Sequence, residues 1–113
     1  MSLRLSRHVR ESLSDPDNSL YLSVASAWEI TLKVQSGKLG LPAATVVYIP
    51  ARLSHYGMEA LPVTLEHVLA ASTLPALHRD PFDRMLVTQG QVERLAIVTH
   101  DPQVQKYAVE TIW

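Results

Sequence analysis

The chain has 113 residues, 47% of them hydrophobic and 19% charged, which is the profile of one soluble globular domain and excludes disordered, fibrous and membrane-spanning classes. Ten Lys and Arg against eleven Asp and Glu leave a net charge of -1, so no global field draws the chain to nucleic acid or membrane, and any such contact must be local. The absence of cysteine removes disulfide scaffolds, thiolate zinc sites, iron–sulfur clusters and a cysteine nucleophile together.

A chain of this length buries roughly 65% of the surface its unfolded form exposes, enough for a real core without staples. No apolar run approaches the ~18 residues of a membrane span, and no apolar signal core follows the charges at the start, so a cytoplasmic setting is expected. Residues 1–113 read as a single domain.

In chain order, Leu5, Val9 and Leu13 recur every four residues and predict a short amphipathic helix, which Asp15-Pro16-Asp17-Asn18 ends as a turn. Leu20 to Val24 is a first strand, and Ala25 to about Gln35 a helix closed by Gly37 from the position after its cap. A second helical stretch from about Ala43 to Tyr56 is interrupted or restarted at Pro50 and stopped by Gly57. Met58 to Val63 forms another strand, broken by Pro62. Thr64 then caps a helix whose Leu65, Val68, Leu69 and Ser72 share a face, with Pro75 as its end. Asp80-Pro81 opens a helix to about Arg94; Leu95 to Thr99 is a buried-type strand; Asp101-Pro102 repeats the cap-and-proline opening; Val109 to Trp113 is a last strand. This alternation is α/β.

The acids can now be placed. Ligands of open parallel sheets bind beyond the carboxyl ends of the strands. Glu29 lies just past the first strand, Asp101 lies two residues beyond the Leu95 to Thr99 strand, and Asp80 and Asp83 occupy the first turn of the preceding helix. Carboxylate oxygens are hard ligands that favour Mg²⁺ or Mn²⁺ over zinc, and the chemistry they best serve is phosphodiester hydrolysis.

Each acid also has a plain structural reading. Ser26-Ala27-Trp28-Glu29 matches a capping box, Asp80 with Asp83 is an acidic first turn, and Asp101 is an ordinary cap. The shared sheet end is what joins them. His8, His55, His67, His78 and His100 show no metal-ligand spacing and read as surface or hydrogen-bonded structural residues, with His78 and His100 nearest the acids. Arg79 and Arg84 flank the Asp80/Asp83 pair, placed either to hold phosphate oxygens or to neutralise the acids. Trp28, Phe82 and Tyr107 read as core or partner-interface residues rather than base-stacking platforms.

The order Ser23-Val24-Ala25-Ser26-Ala27-Trp28-Glu29-Ile30, Lys33 with Gly37-Lys38-Leu39, Leu61-Pro62-Val63-Thr64, His78-Arg79-Asp80-Pro81-Phe82-Asp83-Arg84 and Val98-Thr99-His100-Asp101-Pro102 resembles the PIN domain. Within it, the resemblance is to the VapC-type toxin ribonucleases of bacterial toxin–antitoxin pairs, over nearly the whole chain. The resemblance implies a metal-dependent endoribonuclease acting on RNA with Mg²⁺ or Mn²⁺, inhibited by a small cognate antitoxin and usually a homodimer. It carries Glu29, Asp83 and Asp101 over as the metal-binding acids, Thr99 as the threonine of the last motif, and Asp80 as an additional acid for capping or metal contact.

One element departs from the pattern. Domains resembling this one begin with a hydrophobic strand ending in Asp, whereas the first acid here, Glu11, lies in the amphipathic helix. The expected fold is therefore a PIN-like three-layer α/β domain, mostly parallel, with its central N-terminal strand missing between Leu20–Val24 and Leu95–Thr99. Unpaired interior backbone groups there cost about 1–3 kcal/mol each. A truncated product, half-sheets joined through a partner or swapped dimer, and a rearranged sheet are the three ways out, of which a dimer is expected. An inactive remnant that binds an antitoxin or itself is the alternative to the ribonuclease. A phospho-acceptor receiver-like domain fits less well, since no strand ends in an acceptor Asp.

Overall fold

In the computed structural model, which describes residues 6–77 and 79–113, six helices alternate with four short strands. Helix α1 (Arg7–Ser14) begins where the Ser6 hydroxyl accepts the Val9 N–H at 3.1 Å, an N-cap that satisfies one orphan donor. Of the predicted stripe, Val9 is fully buried and Leu13 half-buried, while Leu5 lies outside the described residues. The Asp15 turn forms as expected, with Asn18 N–H on the Asp15 carbonyl at 3.1 Å.

Strand β1 (Leu20–Ser23) stops one residue before the predicted end because the Ser23 hydroxyl accepts the Ala25 N–H at 3.1 Å and starts α2 (Val24–Gln35) there. Helix α3 (Thr45–Tyr56) corrects the expected break at Pro50: it runs through the proline. Pro50 removes one N–H from the ladder, but it and Val46 are both exposed, so the unmatched carbonyl of Val46 faces water. Gly57, at φ 62°, ends the helix in the left-handed region as predicted.

Strand β2 (Met58–Leu61) pairs in parallel with β1, Leu20 opposite Met58 and Ser23 opposite Leu61, and ends before Pro62. Thr64 caps α4 (Leu65–Ala71), which ends before Pro75. The face predicted from Leu65, Val68 and Leu69 is turned outward, with Leu65 72% and Leu69 60% exposed, and His67 is buried instead. Helix α5 (Pro81–Glu93) has the expected Asp80 cap and Pro81 opening. Strand β3 (Ile97–Val98), shorter than expected, pairs in parallel with β4 (Thr111–Ile112), and between them lies α6 (Pro102–Gln105), capped by Asp101.

The four strands form two separate two-stranded sheets, β1–β2 and β3–β4, and no backbone hydrogen bond among the described residues joins β1 to β3. Helix α5 serves both. Gln89 takes a hydrogen bond from the Ser23 hydroxyl of β1 and donates to the Pro62 carbonyl past β2 at 3.2 Å. The next residue, Gly90, lies against Leu95, Ile97 and Val109 on the other sheet's side, where a Cβ would meet Val109 Cγ2 at 2.9 Å. The core gathers at that end, from Leu74, Val87, Ile97, Val104 and Tyr107. No helix among the described residues is long and apolar enough to cross a membrane.

Candidate functional site

Glu29 sits in the second turn of α2, half-buried, with Oε2 3.4 Å from the Lys33 ammonium one turn on. This overturns the capping-box reading of Ser26 and Glu29. The cap of α2 is Ser23, three residues earlier, so Ser26 lies inside the helix and Glu29 is not called on to cap it.

For Asp80 and Asp101 the capping roles are real. Asp80 Oδ1 accepts the N–H groups of Phe82 at 2.9 Å and Asp83 at 3.4 Å. Asp101 Oδ1 accepts the Gln103 N–H at 2.9 Å, and its own N–H donates to Thr99 Oγ1 at 3.1 Å, so the Thr99–Asp101 pair forms the turn between β3 and α6. In each case one carboxylate oxygen is held by backbone, and the other makes no hydrogen bond among the described residues. Asp83, half-buried in the first turn of α5, has its charge at the positive end of the helix dipole.

The arginines divide. Arg79 is exposed beside Asp80. Arg84 points its guanidinium at the end of α4 and the loop after it, donating to the carbonyls of Pro75 at 3.0 Å, Leu74 at 3.2 Å and Ala71 at 3.4 Å. That is a charged clamp on three carbonyls, of which Ala71 and Pro75 also accept the backbone N–H groups of Leu74 and Leu77. His100 is exposed and stacks on Trp113 with ring centroids 4.2 Å apart; His78 lies outside the described residues.

The aromatic residues also part ways. Tyr107 is core, as expected, at 5% exposure. Trp28 is not: 60% of it is open to solvent, and it meets Phe82 edge-on at 5.4 Å.

Two of the acids, Glu29 and Asp80, line one cavity of about 410 Å³ between α2 and the start of α5, together with Leu32, Lys33, Lys38 and Phe82. Asp83 and Asp101 do not line it. The hard-donor chemistry of the four carboxylates suits Mg²⁺ or Mn²⁺, but among the described residues no three His, Asp or Glu side chains converge where an ion could be held. As arranged here, the acids do not make a metal site.

Sequence reasoning set the two lysines apart only through the family resemblance and gave them no role. Their local signals are an i, i+4 pairing with Glu29 for Lys33 and the Ser36-Gly37-Lys38 helix ending, which turns the chain back, for Lys38.

A family model described as PIN domain matches residues 4–110. Among curated proteins, Ribonuclease VapC16 of Mycobacterium tuberculosis (strain ATCC 25618 / H37Rv) is 35% identical over 78 residues, which cover 62% of this chain. The matched stretch spans 55% of that relative's length.

Proposed function

Because the chain belongs to the PIN-domain family, we propose that it is a VapC-type ribonuclease that hydrolyses RNA phosphodiester bonds, restrained in the cytoplasm by a cognate antitoxin. The observation that carries this reading is the family match over residues 4–110, which takes in all the acid-bearing segments, Trp28-Glu29, Asp80 to Asp83 and Thr99 to Asp101. Similarity to a protein named as a ribonuclease supports it.

In this reading Glu29, Asp83 and Asp101 are the functional acids, and Asp80, which lines the cavity with Glu29, caps the helix that carries Asp83. Thr99 sets the position of Asp101 through the 3.1 Å turn bond. Arg79 is the cation open to a phosphate, whereas Arg84 acts from behind by fixing the loop before α5. Glu29, Asp83 and Asp101 are the residues that would hold Mg²⁺ or Mn²⁺, which would supply activation of a bound water.

With no three acids converging among the described residues, a second reading stands beside it: a catalytically inactive module that binds the antitoxin or a second copy of itself. One assay divides the two. A panel of structured RNAs is incubated with Mn²⁺ and the parent chain, Glu29→Gln or Asp83→Asn. The ribonuclease reading expects cleavage by the parent and a loss of roughly 10²-fold or more in each variant, the scale of a lost general acid or base. Equal background in all three leaves the binding module, for which sedimentation velocity with and without the antitoxin is the direct measurement.

A further inference from the structure

Helix α2 is held to the rest of the fold by little buried surface. Of its residues only Ala25 is buried, and Trp28, which meets Phe82 of α5 edge-on, is itself mostly open to solvent. A further tie between the two helices lies at the start of α2 and is polar. The buried Ser23 hydroxyl accepts the Ala25 N–H that begins the helix and donates its one hydrogen to Oε1 of Gln89, which is buried on α5.

The Gln89 amide has one usable orientation. Its Nε2 donates to the Pro62 carbonyl at 3.2 Å and faces His67 Nδ1, the acceptor of the Thr64 N–H, at 3.4 Å. Turning the amide over would set Oε1 against both of those acceptors. The loop after β2 and the first turn of α4 therefore decide which end of Gln89 meets Ser23, and Gln89 in turn fixes the Ser23 hydroxyl. The same α5 carries Asp83 in its first turn, while the helix that Ser23 begins carries Glu29. Glu29 stands six residues beyond Ser23, about 9 Å along the axis, so a tilt of α2 by roughly 10° about this point would move its backbone by about 1.5 Å. Misplacements of ~1 Å can cost a catalyst about 10²-fold.

We propose that Gln89 is a positioning residue: through Ser23 it fixes the helix bearing Glu29 on the helix bearing Asp83, and so sets how those two acids stand to each other. At 1% exposure Gln89 acts from inside the fold and through Ser23 alone. The proposal rests on the reading of Glu29 and Asp83 as functional acids and adds to it the pair that holds their helices in register. An amide that only contributed stability would, when lost, leave the helices of the folded molecules where they were. A positioning amide, when lost, lets them move.

The test reads that movement directly. The chain has no cysteine of its own, so Gln35→Cys and Gln91→Cys, at exposed positions of α2 and α5, put one spin label on each helix. Pulsed dipolar spectroscopy then measures their separation in folded molecules, where the same 10° tilt would shift the Gln35 position by about 3 Å. The expected result is one narrow distance in the labelled parent, displaced or broadened in Gln89→Met, whose side chain keeps its length and loses both polar ends. Ser23→Ala should do the same, the double variant no more than Ser23→Ala alone, as for two ends of one bond. Ser23→Thr, which retains the hydroxyl, should keep the parent distance. In unlabelled protein with Mn²⁺ and RNA, Gln89→Met should lower kcat roughly tenfold and leave KM within about twofold, at temperatures well below its unfolding.

An unchanged distance in folded Gln89→Met, or a double variant that adds the two effects, overturns the proposal. Should Gln89→Met not fold, Ser23→Ala against Ser23→Thr decides by the same criteria, since the first deletes a single hydroxyl and the second restores it. Displaced helices with parental cleavage also overturn it and leave the ribonuclease standing. Displaced helices in variants of a parent that cleaves nothing overturn the ribonuclease instead, and leave Gln89 as the residue that fixes α2 on α5.

Discussion

The Nε2 of His67, a fully buried side chain, lies 2.9 Å from Oε1 of Glu93 and so ties α4 to α5. The other ring nitrogen, Nδ1, accepts the Thr64 N–H at 3.0 Å, while the Thr64 hydroxyl accepts the His67 N–H at 3.3 Å. Nδ1 is therefore the acceptor and Nε2 carries the hydrogen given to Glu93. One residue completes the cap of its own helix and anchors that helix to the next.

Replacing His67 by Ala removes the ring, half of the capping box and the bridge to α5 together. The expected loss of stability is about 2–4 kcal/mol, combining a buried cavity with unsatisfied polar groups. Urea unfolding followed by circular dichroism checks it; a loss below about 0.5 kcal/mol, the level of an ordinary surface change, would mean that α4 is held by something other than this ring.

Gly90 gives a prediction whose sign opposes helix propensity. In an open helix Gly→Ala gains up to about 1 kcal/mol. Here the new methyl would stand 2.9 Å from Val109 Cγ2, 3.1 Å from the Leu95 carbonyl and 3.2 Å from Ile97 Cδ1. The Leu95 carbonyl is backbone and cannot rotate away, so Gly90→Ala should destabilise by about 1–3 kcal/mol, as overpacking does. Thermal unfolding reads the outcome, and an increase in Tm would show that β3 and the Val109 segment can shift away from α5 freely.

These two residues also mark where sequence reading stops. The caps at Thr64, Asp80 and Asp101 and the glycine endings at Gly37 and Gly57 were legible because each depends on chemistry within a few residues of itself. The sequence starts α2 at Ala25 and offers Ser26 as one alternative cap; the cap lies at Ser23, which also donates to Gln89, 66 residues away. The apolar stripe of α4 was correctly grouped, but its orientation depends on His67 finding Glu93 and Gln89 on another helix. Strand ends misjudged at Leu95 and Val109 have the same origin, since ladder length depends on the neighbouring strand rather than on the β-propensity of the run. At the site, the acids were legible as residues and their mutual distance was not.

Gly37→Ala isolates backbone conformation from packing. Nothing lies within 4 Å of where its Cβ would be, so no clash contributes, and the cost is that of holding a non-glycine residue at φ 76°. About 1 kcal/mol is expected. The informative part is the correlation: if the closure that holds Lys38 loosens with it, hydrogen exchange at the Lys38 amide should accelerate more than at amides in the middle of α2. Uniform acceleration would point to global destabilisation instead.

Asp101 carries two roles that a single substitution confuses and a pair separates. As the cap of α6 it accepts the Gln103 N–H at 2.9 Å through one oxygen. Asn caps about as well as Asp, whereas Ala does not, at a cost of typically about 1 kcal/mol. Asp101→Ala should therefore lower stability by that amount, and Asp101→Asn should leave it within a few tenths. If the carboxylate also acts on RNA, cleavage must fall in both variants alike, because both lack the charge. If Asp101→Asn keeps full cleavage while Asp101→Ala loses it in proportion to stability, the residue is a cap and nothing more. The functional acids would then reduce to those on α2 and at the start of α5, the two elements that frame the cavity.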